Sequence, residues 1–502
     1  MSFTRRAASI GLSLIVSAAA WAAQTATLTI LHTNDTHGHL LPFSYPGILP
    51  IGAQEAQLSV RHDIGGIARR ATMVNRIRAE LKGKPVWLID AGDFCDGSAF
   101  STEYHGEADT EAMNAVGYDF GTFGNHEFNN KFAEVKKLVQ MCKRRLVCAN
   151  AIEKADGKPL MPPFTVEKAG DLKIGLFGLV TTETATYPAA KEGVRIGSEL
   201  ETARKMVAKL RPKVDVLVLI SHIGVEDDRE IAEKVPGIDV IVGGHSHTRI
   251  PVGEFVPWDD ALYADRVNGT IIVQAHQWGG ELGRLDLLFS KDDAGKWHIC
   301  RYRERLLPIT AAVPPDPKVE AVVDKFWAPI ASKYAEQIGV AAADFSERGD
   351  DLAEYSLFAD AARETLGVQF EFENIGGVRA PLIKGPITLA DVYTMDPFND
   401  NLDTVTLTGK QIKDVLLREQ PAASGIRYRI EFGKLVEATI GGQPIVDDQS
   451  YSGAANSYFA GYALRGYKYV DTGKGRRQTV IDYIRSKGTL SPLYDGRRVI
   501  VE

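Results

Sequence analysis

Cysteine is scarce in this 502-residue chain, which has four. The spacings of Cys95, Cys142, Cys148 and Cys300 match no zinc-ribbon pattern, and four thiols are too few to staple a disulfide-dense scaffold. The short loop between Cys142 and Cys148 leaves two readings open, a disulfide or two free thiols. Positive charge is not in excess either. The formal net charge is −7, whereas non-specific nucleic-acid binding calls for a basic face. That balance still admits an anionic substrate, because bound cations reverse a local field. Beyond residue 22 no apolar run reaches the ~20 residues that a membrane-spanning helix needs. Internal repeats are also missing, so a solenoid or array is excluded.

Residues 1–22 read as a separate segment. Arg5 and Arg6 precede the apolar run Ala7–Ala20, and Ala20-Trp21-Ala22 supplies a small-x-small cleavage pattern. The expectation is a secretory signal cut after Ala22 and a mature protein that is periplasmic or secreted. The paired arginines leave Sec and twin-arginine export as alternatives.

The remaining length predicts two domains, and the 44% hydrophobic content with 25% charge is that of an ordinary globular protein. The first part alternates apolar strands with helical patterns. Leu28–Leu31, Pro85–Ile89, Phe120–Phe123, Lys173–Val180, Val214–Ile220, Ile238–Val242 and Thr270–Val273 read as strands. Ile64, Ile67, Ala68, Ala71, Val74, Ile77 and Leu81 recur at helical spacing, as does Thr110–Val116. A break follows at Val313-Pro-Pro-Asp-Pro317, and Glu320–Gln337 reads as a connecting helix.

What stands out is how the strands end. Asp35/His37, Asp93, Asn125/His126, His222 and His245/His247 each follow an apolar run and a small or polar residue. Ligands bind outside the carboxyl ends of strands in open α/β sheets. Five strand ends of one sheet collecting only Asp, Asn and His predict a metal centre. Oxygen and imidazole donors without thiolate suit zinc, manganese, cobalt or iron. Glycines 92, 124, 243 and 244 allow the backbone close to a crowded centre.

The series Asn34-Asp-Thr-His37, Gly92-Asp93, Gly124-Asn-His-Glu127, His222 and Gly243-Gly-His-Ser-His247 resembles the calcineurin-like metallophosphoesterases. Asn374-Ile-Gly-Gly-Val-Arg379 and Pro397-Phe398-Asn399 narrow the resemblance to the exported 5′-nucleotidase family, which includes UDP-sugar hydrolases and 2′,3′-cyclic phosphodiesterases. It implies an N-terminal four-layer α/β/β/α domain over 23–310 and a linker with a helix over 311–340. A smaller α/β substrate-binding domain over 341–502 completes the chain. It also implies two divalent ions, one held by Asp35, His37 and His247 and the other by Asn125, His222 and His245, with Asp93 bridging. Metal-activated hydroxide would attack the phosphate of a nucleotide or related ester, and His126 would protonate the leaving alkoxide.

The resemblance places substrate contacts at Arg348, Asn374, Gly377, Arg379 and Asn399. The base would lie between Phe398 and an aromatic wall from Tyr458 or Phe459. Two departures appear. Members of the family carry Asp three residues beyond the catalytic histidine, where this chain has Asn129. An amide favours imidazolium less than a carboxylate does, so a lowered or shifted pH optimum is expected. The Gly-Gly-Asp-Gly run after the aromatic wall is replaced by Gly461–Gly466 with Arg465. That replacement keeps alternatives in play: the same centre acting on a sulfur ester, as in sulfate thiohydrolases, or a non-catalytic metal- or nucleotide-binding protein.

Overall fold

The computed structural model describes residues 24–46, 60–259, 266–345, 347–348, 350–398 and 400–501. The expected signal segment lies outside them. Two six-stranded sheets make up the first part of the chain. In one, Trp297–Pro308, Glu281–Lys291, Thr25–Thr33, Val86–Asp90, Phe120–Gly121 and Arg145–Leu146 lie side by side. Its last four strands are parallel, and Glu281–Lys291 joins them antiparallel. In the other, the order is Glu254–Pro257, Gly269–Val273, Val240–Val242, Val216–His222, Leu172–Val180 and Phe164–Ala169. Its four central strands are parallel.

Alternation along these strands sets the layers. Leu28 and Ile30 face inward and meet Val218, Ile220, Val240 and Val242 of the second sheet. Leu31 and Leu88 face outward against the helices Ile67–Glu80 and Glu107–Val116. Leu217 and Leu219 pack on the far side against Glu199–Leu210 and Val225–Lys234. A two-residue period on strands covered on both faces therefore yields the α/β/β/α layering. The expectation that the five strand ends belong to one sheet is corrected: three come from the first sheet and two from the second. Fully buried strands read as continuous apolar runs and carry no mark of the sheet they join.

Two local expectations also change, and one pair of alternatives is resolved. The first helix starts at Ile67 because Gly65 and Gly66 both sit at positive φ, and Ile64 belongs to the strand Val60–Gly65. The connecting helix is two helices, Pro317–Trp327 and Ala331–Tyr334. Pro329, between them, has no N–H with which to continue the ladder. The break falls where two cores meet, since Val319, Val323 and Phe326 pack into the first part and Ile330 and Tyr334 into the second. Finally, all four cysteines are free thiols. Residues 145–147 run extended, with Arg145 and Val147 donating to Asp119 and Gly121 carbonyls. That path leads the chain from Cys142 into the strand Arg145–Leu146, and the Cys148 thiol donates instead to Asn150 Oδ1 at 3.4 Å.

The second part is built on the five-stranded sheet Ala422–Ser424, Phe370–Glu373, Ser450–Asn456, Asn401–Thr408 and Tyr469–Gly475. Phe370 and Phe372 meet Ile412, Val415 and Leu416 of the helix Gly409–Glu419. Glu373, on the opposite face, pairs with Arg476 at the start of the helix Arg476–Lys487. Among the described residues no helix is long and apolar enough to cross a membrane.

Leu219 has no exposed surface, and shortening it leaves a cavity beneath two helices. Leu219→Ala is expected to cost about 2–5 kcal/mol in chemical denaturation. Leu417→Ala, at a residue 41% exposed, should stay within about 0.5 kcal/mol.

Candidate metal centre and substrate cleft

The seven side chains predicted as ligands converge. His37 Nε2 lies 3.9 Å from Asp35 Oδ1 and 4.0 Å from Asp93 Oδ2. His247 Nε2 is 3.4 Å from Asp35 Oδ1 and 3.1 Å from His37 Nε2. On the other side of Asp93, His222 Nε2 is 3.0 Å from Asp93 Oδ2 and 3.2 Å from Asn125 Oδ1. Ligating atoms of Asp35, His37 and His247 fall within 4.8 Å of one another, as do those of Asp93, His222 and His245. Asp35, His37, Asp93, Asn125 and His222 are buried.

Local structure aims these groups. Asp35, His37, Asp93, His245 and His247 all have positive φ, a conformation sparsely populated by residues other than glycine and typical of functional turns. The loops lie so close that a Cβ on Gly124 would sit 2.1 Å from Asp93 Oδ1 and 2.6 Å from the His222 ring. His222 Nδ1 donates to the Ala91 carbonyl at 2.7 Å, and His37 Nδ1 to that of Asp96 at 3.1 Å. Each ring therefore turns an Nε2 lone pair inward, the tautomer that metal ligands need. Tyr187 OH accepts from Asn125 Nδ2 at 2.8 Å, which leaves the amide oxygen facing His222.

Lone pairs and carboxylates thus face one another with water excluded. A cation is what such a donor set fits. Burial raises carboxyl pKa values, yet His247 and His222 hold Asp35 well below the usual carboxylate range. Asp93 is likewise depressed, by His222 and His126 against burial. Burial lowers His222, but Asp93 and Asp35 overcome it and push its pKa up to about 10. His245 falls to about 4 through burial and the His222 charge.

His126 stands at the edge of this cluster, its Nε2 4.0 Å from Asp93 Oδ2 and its backbone N–H donating to Asp93 Oδ1 at 2.8 Å. It lines a cavity of about 600 Å³ together with Asn374, Gly377, Arg379, Phe398 and Tyr458. Arg379 approaches His37 Nε2 to 3.3 Å. The Phe398 ring stacks on His126 at 5.9 Å between centroids. Asn374 is buried, its Oδ1 accepting from Asn456 Nδ2 at 2.8 Å. Of the two aromatic residues expected for the far wall, Phe459 is core and Tyr458 is 53% exposed on the cavity. Asn399 and the Arg348 side chain lie outside the described residues. Asn129, which closes the short turn His126–Phe128, reaches His126 Nδ1 at 2.9 Å.

Four residues that hold the site have no role assigned from the sequence, although two of them, Asn34 and Glu127, stand inside its motifs. Glu127 is buried and accepts N–H bonds from Asp93, Cys95 and Gly124, bracing two ligand loops together. Burial and the Asp93 charge push its pKa up to about 7. Asn34 bonds Asp35 and the His276 carbonyl. Glu183 lies 3.6 Å from His245 Nε2. Asp96 Oδ2 is 3.3 Å from His126 Nδ1. Burial lowers His126, but Asp93 and Asp96 outweigh it and raise its pKa above the ordinary value. The lowered basicity expected from Asn129 is thus opposed by a carboxylate from another loop. Glu127 had a signal, its place inside Gly124-Asn-His-Glu127; Asp96 had none.

Residues 28–249 match the family model of calcineurin-like phosphoesterases, and residues 336–469 that of the 5′-nucleotidase C-terminal domain. A 5′-nucleotidase of Vibrio vulnificus is 29% identical over 516 residues, across 90% of this chain and 89% of its own. The trifunctional nucleotide phosphoesterase YfkN of Bacillus subtilis is 28% identical across 94% of this chain, which spans 34% of YfkN. The crystal structure of a 5′-nucleotidase precursor from Thermus thermophilus matches with a TM-score of 0.84 at 26% identity, over 95% of this chain and 99% of that one. The chain is a calcineurin-like phosphoesterase with a 5′-nucleotidase C-terminal domain.

For a metallophosphoesterase the His222 environment has a measurable consequence. In the metal-free enzyme its pKa is raised from 6.5 to about 10. The charged ring therefore contributes stability fully below about 6.5, and this is lost as pH rises through about 10. A metal ion held by His222 would require the neutral ring, so loading at this site would expel a proton. Binding of Mn²⁺ or Zn²⁺ should tighten from about pH 6 to about pH 8. Calorimetry in two buffers of different ionisation enthalpy should register proton release, and His222→Ala should diminish it.

Proposed function

We propose that this phosphoesterase hydrolyses phosphate esters of nucleotides at a dinuclear centre. Asp35, His37 and His247 would hold one divalent ion and Asn125, His222 and His245 the other, with Asp93 between. The observation that carries the reading is one cavity lined by Asp93, Asn125, His245 and His247 together with His126, Arg379, Phe398 and Tyr458, with Asp35, His37 and His222 clustered against those ligands. Zinc, manganese, cobalt and iron are the ions that this oxygen and imidazole set suits. When bound, such a pair polarises phosphoryl oxygens and lowers the pKa of water.

The chain's own residues divide the remaining work. Arg379 presents a planar fork to the phosphate. His126, protonated and directed by its Nε2 toward the centre, donates to the leaving alkoxide. Phe398 and Tyr458 offer apolar faces to a base, and Asn374 and Gly377 line the wall beside Arg379. Arg379 rests on His37 and Phe398 on His126, so a substrate enters only as these contacts part. The Arg5-Arg6, Ala7–Ala20 and Ala20-Trp21-Ala22 pattern supports export to the periplasm or the medium.

The test is turnover of AMP, UDP-glucose and 2′,3′-cyclic AMP by the metal-loaded protein, with loss on chelation. His126→Ala should lower kcat by about 10²–10⁴ with metal content unchanged. Arg379→Ala should act mainly on KM, raising it roughly tenfold. A metal-loaded protein inert towards every phosphate ester overturns the reading.

A further inference from the structure

His126 Nδ1 has two polar neighbours, and they make opposite demands. The Asn129 amide is 2.9 Å away and the Asp96 carboxylate 3.3 Å. If the amide nitrogen of Asn129 donates to Nδ1, the ring's lone pair faces the carboxylate, two acceptors with no proton between them. If Nδ1 carries the proton instead, Asp96 accepts it, and the Asn129 amide, turned over, offers its oxygen as a second acceptor. Amide nitrogen and oxygen are interchangeable in shape, and the surrounding network decides between them. Only the second arrangement satisfies all three groups. Its bond to the carboxylate is charge-assisted and about twice as strong as a neutral one.

We propose that Asp96, and not Asn129, is the residue that positions His126 for proton donation. Asp96 is tied down at every polar group it has. Its N–H donates to Ser101 Oγ at 2.7 Å, and its carbonyl accepts from His37 Nδ1 at 3.1 Å. Its backbone sits at φ 69°, and its side chain is 13% exposed. A Cβ on the next residue, Gly97, would fall 2.6 Å from the His37 carbonyl oxygen, so the turn is closed against the His37 backbone. One residue therefore orients two imidazoles, a predicted metal ligand through its main chain and the proton donor through its side chain. Asp93 faces the opposite nitrogen of His126, and the rings of Tyr187 and Phe398 flank it. With Nδ1–H held by Asp96, Nε2 is the nitrogen presented to the leaving group.

This rests on His126 being the proton donor, and the experiment separates the two. The metal-loaded enzyme and the variants Asp96→Asn, Asp96→Asn/Asn129→Asp and His126→Ala are assayed on AMP, whose adenosine departs as an alkoxide that needs a proton. They are also assayed on 4-nitrophenyl phosphate, whose leaving group departs without a proton. Asp96→Asn should lower kcat on AMP by about 10², with KM and metal content nearly unchanged and a loss below about tenfold on 4-nitrophenyl phosphate. Restoring a carboxylate as Asn129→Asp in that background should recover at least about tenfold. In isotope-labelled protein the hydrogen-bonded Nδ1–H resonance of His126 should vanish in Asp96→Asn and return in the double variant. Equal losses on the two esters, no recovery, or an unimpaired Asp96→Asn overturn the role of Asp96. Full AMP turnover by His126→Ala removes the donor assignment, and the role of Asp96 with it.

Discussion

Two carboxylates and the inward-turned Nε2 atoms of two imidazoles face one another out of reach of water, and much of the first part of the chain serves to keep them there. Left alone, such an arrangement is expensive, because buried acceptors and charges need partners. The carbonyls of Ala91 and Asp96 fix the His222 and His37 tautomers. Five of the proposed ligands sit in a strained backbone region. Glu127 ties the Asp93 loop to the Asn125 loop through three backbone donors. Each of these features resists a relaxation that would let the acceptors turn apart.

The second part of the chain is subordinate to the same centre. Arg476 holds the Gly377 carbonyl while pairing with Glu373, and Arg477 holds the carbonyls of Asp396 and Phe398. Two adjacent arginines at one helix start therefore steady both loops that carry Arg379 and Phe398. Glu373 also accepts from Asn456, which donates in turn to Asn374. Polar networks of this kind rigidify a wall only when every member is satisfied.

Legibility in the sequence followed how local each signal is. Asp35, His37, Asp93, His222, His245 and His247 stood out because polarity changes abruptly where an apolar strand ends. The layering of the strands did not, since the stretch 216–220 is apolar on both faces and gives no clue to its sheet. Pro329 was visible, but the helical spacing of Val322, Phe326 and Ile330 masked its effect. Asp96 was hidden for a deeper reason. It acts on His126 across thirty positions, through a turn whose shape depends on Gly97 and Ser101. No periodicity encodes such a contact. The Cys142 and Cys148 pairing looked open because proximity along the chain says nothing about an extended strand between them.

Supplying one centre from two sheets also dictates a sequence of events during folding. The earliest ligand is Asp35 and the last His247, with Asn125 and His222 between them. A growing chain can pair its first strands long before its final imidazoles have emerged. Until then the early carboxylates have no histidine from the second sheet to balance them, and any cation they catch is held by a fragment. Contacts spanning so much chain are slow to close. A metal site that needs the whole set of side chains can therefore form only late, as a lock on architecture already assembled.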